Sequence, residues 1–132
     1  MKRVIRNSAC IMLGVITFSA LGQVTSDEDP VTISPQYYTI RFENDQVRVL
    51  EYHLQPGEKE IMHSHPAGVV HYLSDATFRT TLPDGTVSEG SVKKGDVQWR
   101  DFTRHAAENI GSTEAHAFAI ELKSTTRANE VN

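Results

Sequence analysis

The chain has 132 residues and a mass of 14.7 kDa, which is the size of a single domain. Hydrophobic residues make up 39% of it and charged residues 23%, and these proportions exclude a multi-pass membrane protein and a fully disordered chain. The single cysteine excludes an internal disulfide framework and a cysteine-based zinc ribbon. The six histidines are the first indication of a functional site, because three of them fall within the nine positions from His63 to His71.

The first 22 residues have the layout of a secretory signal peptide. A basic start at residues 2–6 precedes an apolar run over residues 9–21, and Ala20 and Gly22 are the small residues of a cleavage site. The run is shorter than the ~20 apolar residues that a membrane-spanning helix needs. We therefore expect cleavage after Gly22 and export to the periplasm or the medium, with no membrane attachment afterwards.

The remaining chain is acidic. Without residues 1–22 it has 10 basic and 17 acidic side chains, a net charge of −7. Such a surface offers no electrostatic footprint for nucleic acid or anionic lipid, so the expected partner is a small-molecule ligand. We expect a flexible N-terminal segment over residues 23–36, in which a strand begins at Val31, then a barrel over residues 37–123 and a C-terminal tail over residues 124–132.

From Tyr37 onward, apolar residues recur with the period of two that is typical of β-strands. Turn signals at Pro56-Gly57 and Asp84-Gly85 divide this pattern into short segments. Short strands at this spacing predict an all-β, antiparallel sandwich or barrel. The expected strands cover residues 46–54, 60–65, 68–73, 76–82, 86–92, 97–100, 105–109 and 115–123.

The segment His63-Ser64-His65 is the first candidate site. In a strand, residues two apart point to the same face, so both imidazoles could bind one metal ion at M–N distances of ~2.0–2.1 Å. The pattern fits equally well two solvent-exposed histidines on an edge strand. A further histidine, His105, follows Gly95-Asp96 and precedes Asn109 by four positions.

These segments resemble the two sequence motifs of the cupins. Gly57, placed six residues before His63-Ser64-His65, is similar to the first motif, and Gly95-Asp96 followed by His105 and Asn109 is similar to the second. The similarity covers about two thirds of the chain. It implies a small single-domain cupin, whose fold is a short antiparallel barrel also called a double-stranded β-helix or jelly roll. Cupins often pair through edge strands, so the resemblance also implies a homodimer.

The resemblance further implies that His63, His65 and His105 hold a divalent metal inside the barrel. One departure concerns the ligand set: the first cupin motif normally supplies a glutamate four or five residues after its second histidine, and here those positions are Val69 and Val70. The usual carboxylate ligand is therefore missing. Three imidazoles suit Fe, Mn, Zn, Ni or Cu and do not choose between them.

Three further residues are candidates for catalysis or substrate binding. His71 lies in the middle of an apolar strand. It is interpreted either as a catalytic residue, which would be a fourth metal ligand or a general base over the open metal position, or as a histidine at the barrel mouth whose ring is exposed to water. Gln98 would bind a ligand or face outward, and Trp99 would form a substrate platform or part of the core or rim. His53 and His116 are interpreted as ordinary residues.

Two functions remain open from the sequence. A three-histidine site with an open position suits an oxygenase or a related metalloenzyme acting on a small molecule. The alternative is a non-catalytic, ligand-binding module in which the metal is structural or absent. Whether the protein is an enzyme is not decided by the sequence, because the fold supports both functions.

Overall fold

The computed structural model describes residues 28–123, so the predicted signal peptide and C-terminal tail lie outside the described residues. No helix within residues 28–123 has the length and apolar character needed to cross a membrane. The helix α1 spans Pro30–Ile33, and the strands are β1 (Tyr38–Glu43), β2 (Val47–Leu54), β3 (His63–His65), β4 (Gly68–Tyr72), β5 (Ala76–Thr81), β6 (Val87–Val92), β7 (Val97–Arg100), β8 (Thr103–Asn109) and β9 (Ala115–Leu122).

The strands form two antiparallel sheets. One sheet has five strands in the order β1-β2-β9-β4-β7, and the other has four in the order β3-β8-β5-β6. Strands far apart in sequence are neighbours, since β2 pairs with β9 over its whole length. This is the all-β, antiparallel fold predicted from the period of two, and that prediction is confirmed.

The core lies between the sheets, and its composition leaves room for a cavity. On β2, Leu50, Tyr52 and Leu54 are buried and alternate with residues of the opposite face. The residues of the neighbouring strand β9 that pair with these positions have small side chains: Ala117 pairs with Tyr52, and Ala119 pairs with Leu50. Because alanine fills little volume, the two sheets do not close completely on each other.

Two glycines of the sequence motifs have a backbone conformation that their turns require. Gly57 has φ = 81° and Gly95 has φ = 94°, values that side-chain-bearing residues rarely adopt. The Gly57 turn leads toward β3, and the Gly95 turn leads into β7. The first turn therefore precedes the strand of His63 and His65, and the second precedes the strand that ends at Arg100.

The segment expected to be flexible over residues 23–36 is packed where the structure describes it. The residues Pro30–Ile33 form α1, and not a strand beginning at Val31. Asp29 is the N-cap, with its Oδ1 accepting from the Val31 amide at 2.9 Å, and proline occupies the first helical turn. Both features favour a helix start. The other Asp29 oxygen pairs with Arg48 of β2 at 2.6 Å, which ties the helix to the barrel.

Candidate metal centre

The structure brings the three predicted metal ligands together. His63 and His65 lie on β3, and His105 lies opposite His63 on the paired strand β8. One ring nitrogen from each residue lies within 4.8 Å of the other two. His63 and His65 are fully buried, with 0% and 1% of their surface exposed. The geometry therefore favours a shared site over the alternative of two exposed histidines on an edge strand.

The donor atoms fit a metal ion. Nε2 of His63 lies 2.9 Å from Nε2 of His65, which is close to the ~3 Å separation of two nitrogens bound at right angles with M–N of ~2.0–2.1 Å. Nδ1 of His63 contacts the Ile61 carbonyl at 2.8 Å, and Nδ1 of His65 contacts a Glu121 oxygen at 2.6 Å. Both partners can only accept, so each Nδ1 donates and each Nε2 keeps its lone pair for a metal.

The site also keeps imidazole in the form that binds metals. Burial lowers the pKa of His105 to about 3, helped by the nearby His63 and Arg100. Burial, together with the Arg100 charge, holds the pKa of His65 well below its usual value. Both rings are therefore neutral near pH 7, as metal coordination requires.

Comparisons with known proteins agree with this architecture. No protein-family model matches the chain, and no curated protein matches it. Among solved structures, a cupin domain from Bordetella pertussis Tohama I is 25% identical and has a TM-score of 0.61, with 66% of this chain and 92% of that chain covered. The protein has the fold of a small cupin domain.

Two other solved structures show the same fold at lower identity. A protein with a double-stranded β-helix domain from Klebsiella pneumoniae is 20% identical with a TM-score of 0.52, covering 64% of this chain and 74% of that one. An RmlC-like cupin family protein from Methanocaldococcus jannaschii is 17% identical with a TM-score of 0.52, covering 64% and 77%. The cupin fold implied by the sequence motifs is thus confirmed.

A carboxylate lies beside the histidine triad of this cupin, although not where the first motif would supply it. Oε2 of Glu60 lies 3.4 Å from Nε2 of His63. The hydroxyl of Tyr38 donates to the same oxygen at 2.6 Å, and that of Tyr52 donates to Oε1 at 2.5 Å. Burial raises the pKa of Glu60. The sequence did not indicate this residue, because the first cupin motif places its carboxylate after the second histidine and Glu60 precedes the first.

A second buried carboxylate contacts the triad at Nδ1 of His65, the ring nitrogen that does not face the other histidines. Glu121 accepts from Nδ1 of His65 through Oε1 and pairs with Arg48 through Oε2, at 2.7 Å. Arg48 in turn contacts Asp29, so a chain of alternating charges connects His65 with the helix cap. The sequence signal for Glu121 was its position on β9, which continues the alternation of the buried Ala117 and Ala119.

A cavity of about 110 Å³ lies between the sheets and is open to the triad. It could hold several waters or a small organic molecule. His65 and His105 form part of its wall, together with Arg100 and a largely apolar lining that includes Val70 and Phe78. Within residues 28–123, Nε of Arg100 is the one buried side-chain nitrogen or oxygen that has no hydrogen-bond partner. Such an orphaned cationic donor points to an anionic ligand.

His71 does not reach the site, so its interpretation as a catalytic residue is corrected. Val70 and Tyr72, its neighbours on β4, line the cavity, and side chains alternate between the two faces of a strand. His71 consequently lies on the outer face of the sheet, where it pairs with Phe118 of β9. Because side chains alternate along a strand, a residue one position away from a cavity-lining residue lies on the outer surface.

The two predicted substrate-binding residues are also displaced from the cavity. Trp99 is 58% exposed, pairs with Val69 on the outer face, and donates its indole N–H to Asp101 at 2.8 Å. Gln98 shares the face of Arg100 on β7, but it is exposed and is not part of the cavity wall. The cavity-facing residue of this strand is therefore Arg100, which no motif of the sequence indicates.

Proposed function

We propose that this cupin is a metal-dependent enzyme of the oxygenase type that acts on a small carboxylate-bearing molecule. The observation that carries the proposal is the shared cavity: two histidines of the triad and Arg100 line the same space of about 110 Å³. Nε of Arg100 has no hydrogen-bond partner, although its Nη2 lies 3.9 Å from Glu121. A divalent ion held by His63, His65 and His105 would keep open coordination positions and supply Lewis-acid or redox chemistry.

Arg100 would bind and orient the substrate. Its guanidinium is planar and can donate two parallel hydrogen bonds to a carboxylate, an arrangement that fixes orientation as well as position. The apolar lining, with Val70 and Phe78, would pack against the remainder of the substrate and exclude water. The cavity volume restricts that substrate to a few non-hydrogen atoms.

Glu60 is suited to hold or accept a proton. It is buried at 5% exposure, and its raised pKa brings the carboxyl closer to the pH range in which proton transfer is efficient. The Tyr38 hydroxyl contacts both Glu60 at 2.6 Å and Nε2 of His63 at 3.2 Å. The Glu60 carboxyl therefore lies next to the triad and accepts hydrogen bonds from two tyrosine hydroxyls.

A non-catalytic module with a structural metal is the less favoured function. A structural metal site is normally closed by protein ligands, whereas two histidines of this triad face a cavity. Glu60 and Arg100 also argue against a purely structural role. A buried carboxyl with a raised pKa and a buried Nε without a hydrogen-bond partner both lower the stability of the fold.

Metal analysis combined with oxygen uptake tests the proposal. We would reconstitute the full chain separately with Fe, Mn, Zn, Ni and Cu, measure bound metal, and follow oxygen consumption with a panel of small mono- and dicarboxylates. The expected result is one tightly bound ion at the triad and carboxylate-dependent oxygen uptake, both lost in His105→Ala and retained in His71→Ala. Failure of every metal to bind the triad would overturn the proposal, and tight binding without any oxygen uptake would overturn its oxygenase part.

A further inference from the structure

A second group of potential metal ligands lies on the outside of the barrel. His53 of β2 and His116 of β9 are directly paired across the two strands, so both side chains project from the same face. Their strand neighbours Leu54 and Ala117 are buried in the core, which places the histidines on the outer face of the five-stranded sheet. The two rings stack with their centroids 4.2 Å apart and an interplanar angle of 19°.

Glu51 supplies a third donor on this face. It precedes His53 by two positions on β2, and its Oε1 lies 2.8 Å from Nε2 of His116 and 3.5 Å from Nε2 of His53. These two separations bracket the ~3.0–3.4 Å expected between ligand atoms that share one ion at ~2.0–2.2 Å. Without metal, Nε2 of His116 donates to this oxygen, and a bound ion would take the place of that proton. The other carboxylate oxygen of Glu51 is held by Arg41, so Oε1 stays directed at both rings.

A fourth side chain orients one of the rings. Oε1 of Glu114 lies 2.8 Å from Nδ1 of His53, and a carboxylate can only accept, so Nδ1 donates. Nε2 of His53 then keeps its lone pair on the side of Glu51. Metal-binding histidines commonly have this arrangement, in which a carboxylate fixes the nitrogen opposite the ligand atom.

We propose that His53, His116 and Glu51 form a second divalent-metal site, here called the outer site, which takes Zn²⁺ or Cu²⁺. Two imidazole nitrogens with one carboxylate oxygen suit these ions, and water completes the coordination. The outer site shares no residue with the triad, which lies on β3 and β8 of the other sheet. Its histidines are 42% and 29% exposed, so ions reach it directly from solvent.

Stoichiometry tests the outer site independently of the triad. The metal-free full chain would be titrated with Zn²⁺ by equilibrium dialysis, with bound zinc measured by elemental analysis. We expect two equivalents for the wild type, one for His116→Asn and one for His105→Ala. His71→Asn is the matched control, because His71 lies on the same outer face and two equivalents should remain. Circular dichroism confirms that each variant is folded.

The outcomes separate this inference from the proposed function. If the triad fails to bind, the wild type takes one equivalent that His116→Asn loses, and the outer site still stands. If His116→Asn binds as much zinc as the wild type, or if His71→Asn loses as much as His116→Asn, the outer site is wrong. Should His105→Ala not fold, Cu²⁺ titration of the wild type followed by electron paramagnetic resonance resolves two spectral components, of which His116→Asn should lack one.

Discussion

Glu121 holds the ring of His65 from behind: Oε1 of the carboxylate lies 2.6 Å from Nδ1 of the imidazole, and both side chains are about 1% exposed. The other oxygen of Glu121 pairs with Arg48 at 2.7 Å, so the carboxylate is itself fixed. The orientation of this candidate metal ligand therefore depends on a residue 56 positions away in the sequence. Ligand geometry in this cupin is set jointly by β3 and β9.

Replacing that carboxylate should weaken metal binding without removing a ligand. For Glu121→Gln we expect the affinity of the triad for Zn²⁺ to fall ~10–100-fold, because the amide is a weaker acceptor and fixes the His65 ring less firmly. Competition with a chromophoric chelator measures this affinity. Glu89→Gln is the control, since Glu89 is an exposed partner of Arg79 outside the site. Equal affinities for Glu121→Gln and the wild type would contradict the role assigned to Glu121.

The histidines of the triad and His71 should respond differently to removal. His105→Ala leaves two imidazoles and should nearly abolish tight binding of metal at the triad, whereas His71→Ala should leave both metal affinity and turnover unchanged. The reason is that His71 lies on the outer face and does not contribute to the cavity wall. Isothermal titration of each variant with Zn²⁺, after confirmation of the fold, distinguishes them. A loss of the triad ion in His71→Ala would show that the strand β4 lies in another register.

Much of the fold could be predicted from the sequence because its signals are local. The period of two places strands, and Gly57 and Gly95 occupy turns that need positive φ. The histidine triad was also found, since His63 and His65 are close in sequence and the second motif supplies His105. Both signals depend on residues within a short stretch of chain.

The remaining site residues were missed because they depend on which face of a strand points inward. On β9 both alternating sets are apolar, namely the alanines at 115, 117 and 119 and the larger Phe118 and Ile120. The alternation of apolar residues alone does not show which set faces the core. In the structure, the alanines and Glu121 are buried. Glu60 lies only three positions before His63, but the cupin motif places its carboxylate after the second histidine. Arg100 reaches the cavity through the pairing of β7 with β4. The cavity follows from this choice, because the small residues face inward.

Arg100 should show a trade-off between ligand binding and stability. For Arg100→Met we expect loss of stabilisation by small carboxylates and, without ligand, a free energy of unfolding higher by on the order of 1–3 kcal/mol, because an unsatisfied buried donor is removed. Urea unfolding with and without a panel of carboxylates measures both effects. A variant that still gains stability from the same carboxylates as the wild type would exclude Arg100 from ligand binding.

Export should be visible in the mass of the protein. Cleavage after Gly22 would leave Gln23 as the new N-terminus, because Ala20 and Gly22 are the small residues that signal peptidase requires after the apolar run. Intact mass spectrometry of the protein from the exported fraction gives the answer directly. A chain that retains Met1 and remains in the membrane fraction would contradict both the cleavage site and the export.

The metal-free protein should lose stability on acidification through His105. Its pKa is about 3 in the folded protein against 6.5 for an ordinary histidine, so between these values the unfolded chain binds a proton that the folded chain does not. Stability therefore falls as the pH decreases from about 6.5 toward 3. Burial of the ring is the main cause of this low pKa, and the nearby His63 and Arg100 add to it. Glu60, whose pKa is raised, acts in the opposite direction, because the folded chain takes up its proton first.

Comparison of variants isolates the contribution of His105 from that of Glu60. Urea unfolding of metal-free wild type and His105→Gln at pH 7 and pH 4.5 should give a smaller acid-induced loss for the variant, since Glu60 titrates in both proteins. His71→Gln is the matched control and should keep the full loss, because His71 lies outside the buried site. The same pH dependence in His105→Gln and the wild type would mean that His105 is accessible to protons in the folded chain, and hence that the triad is less enclosed than the geometry shows.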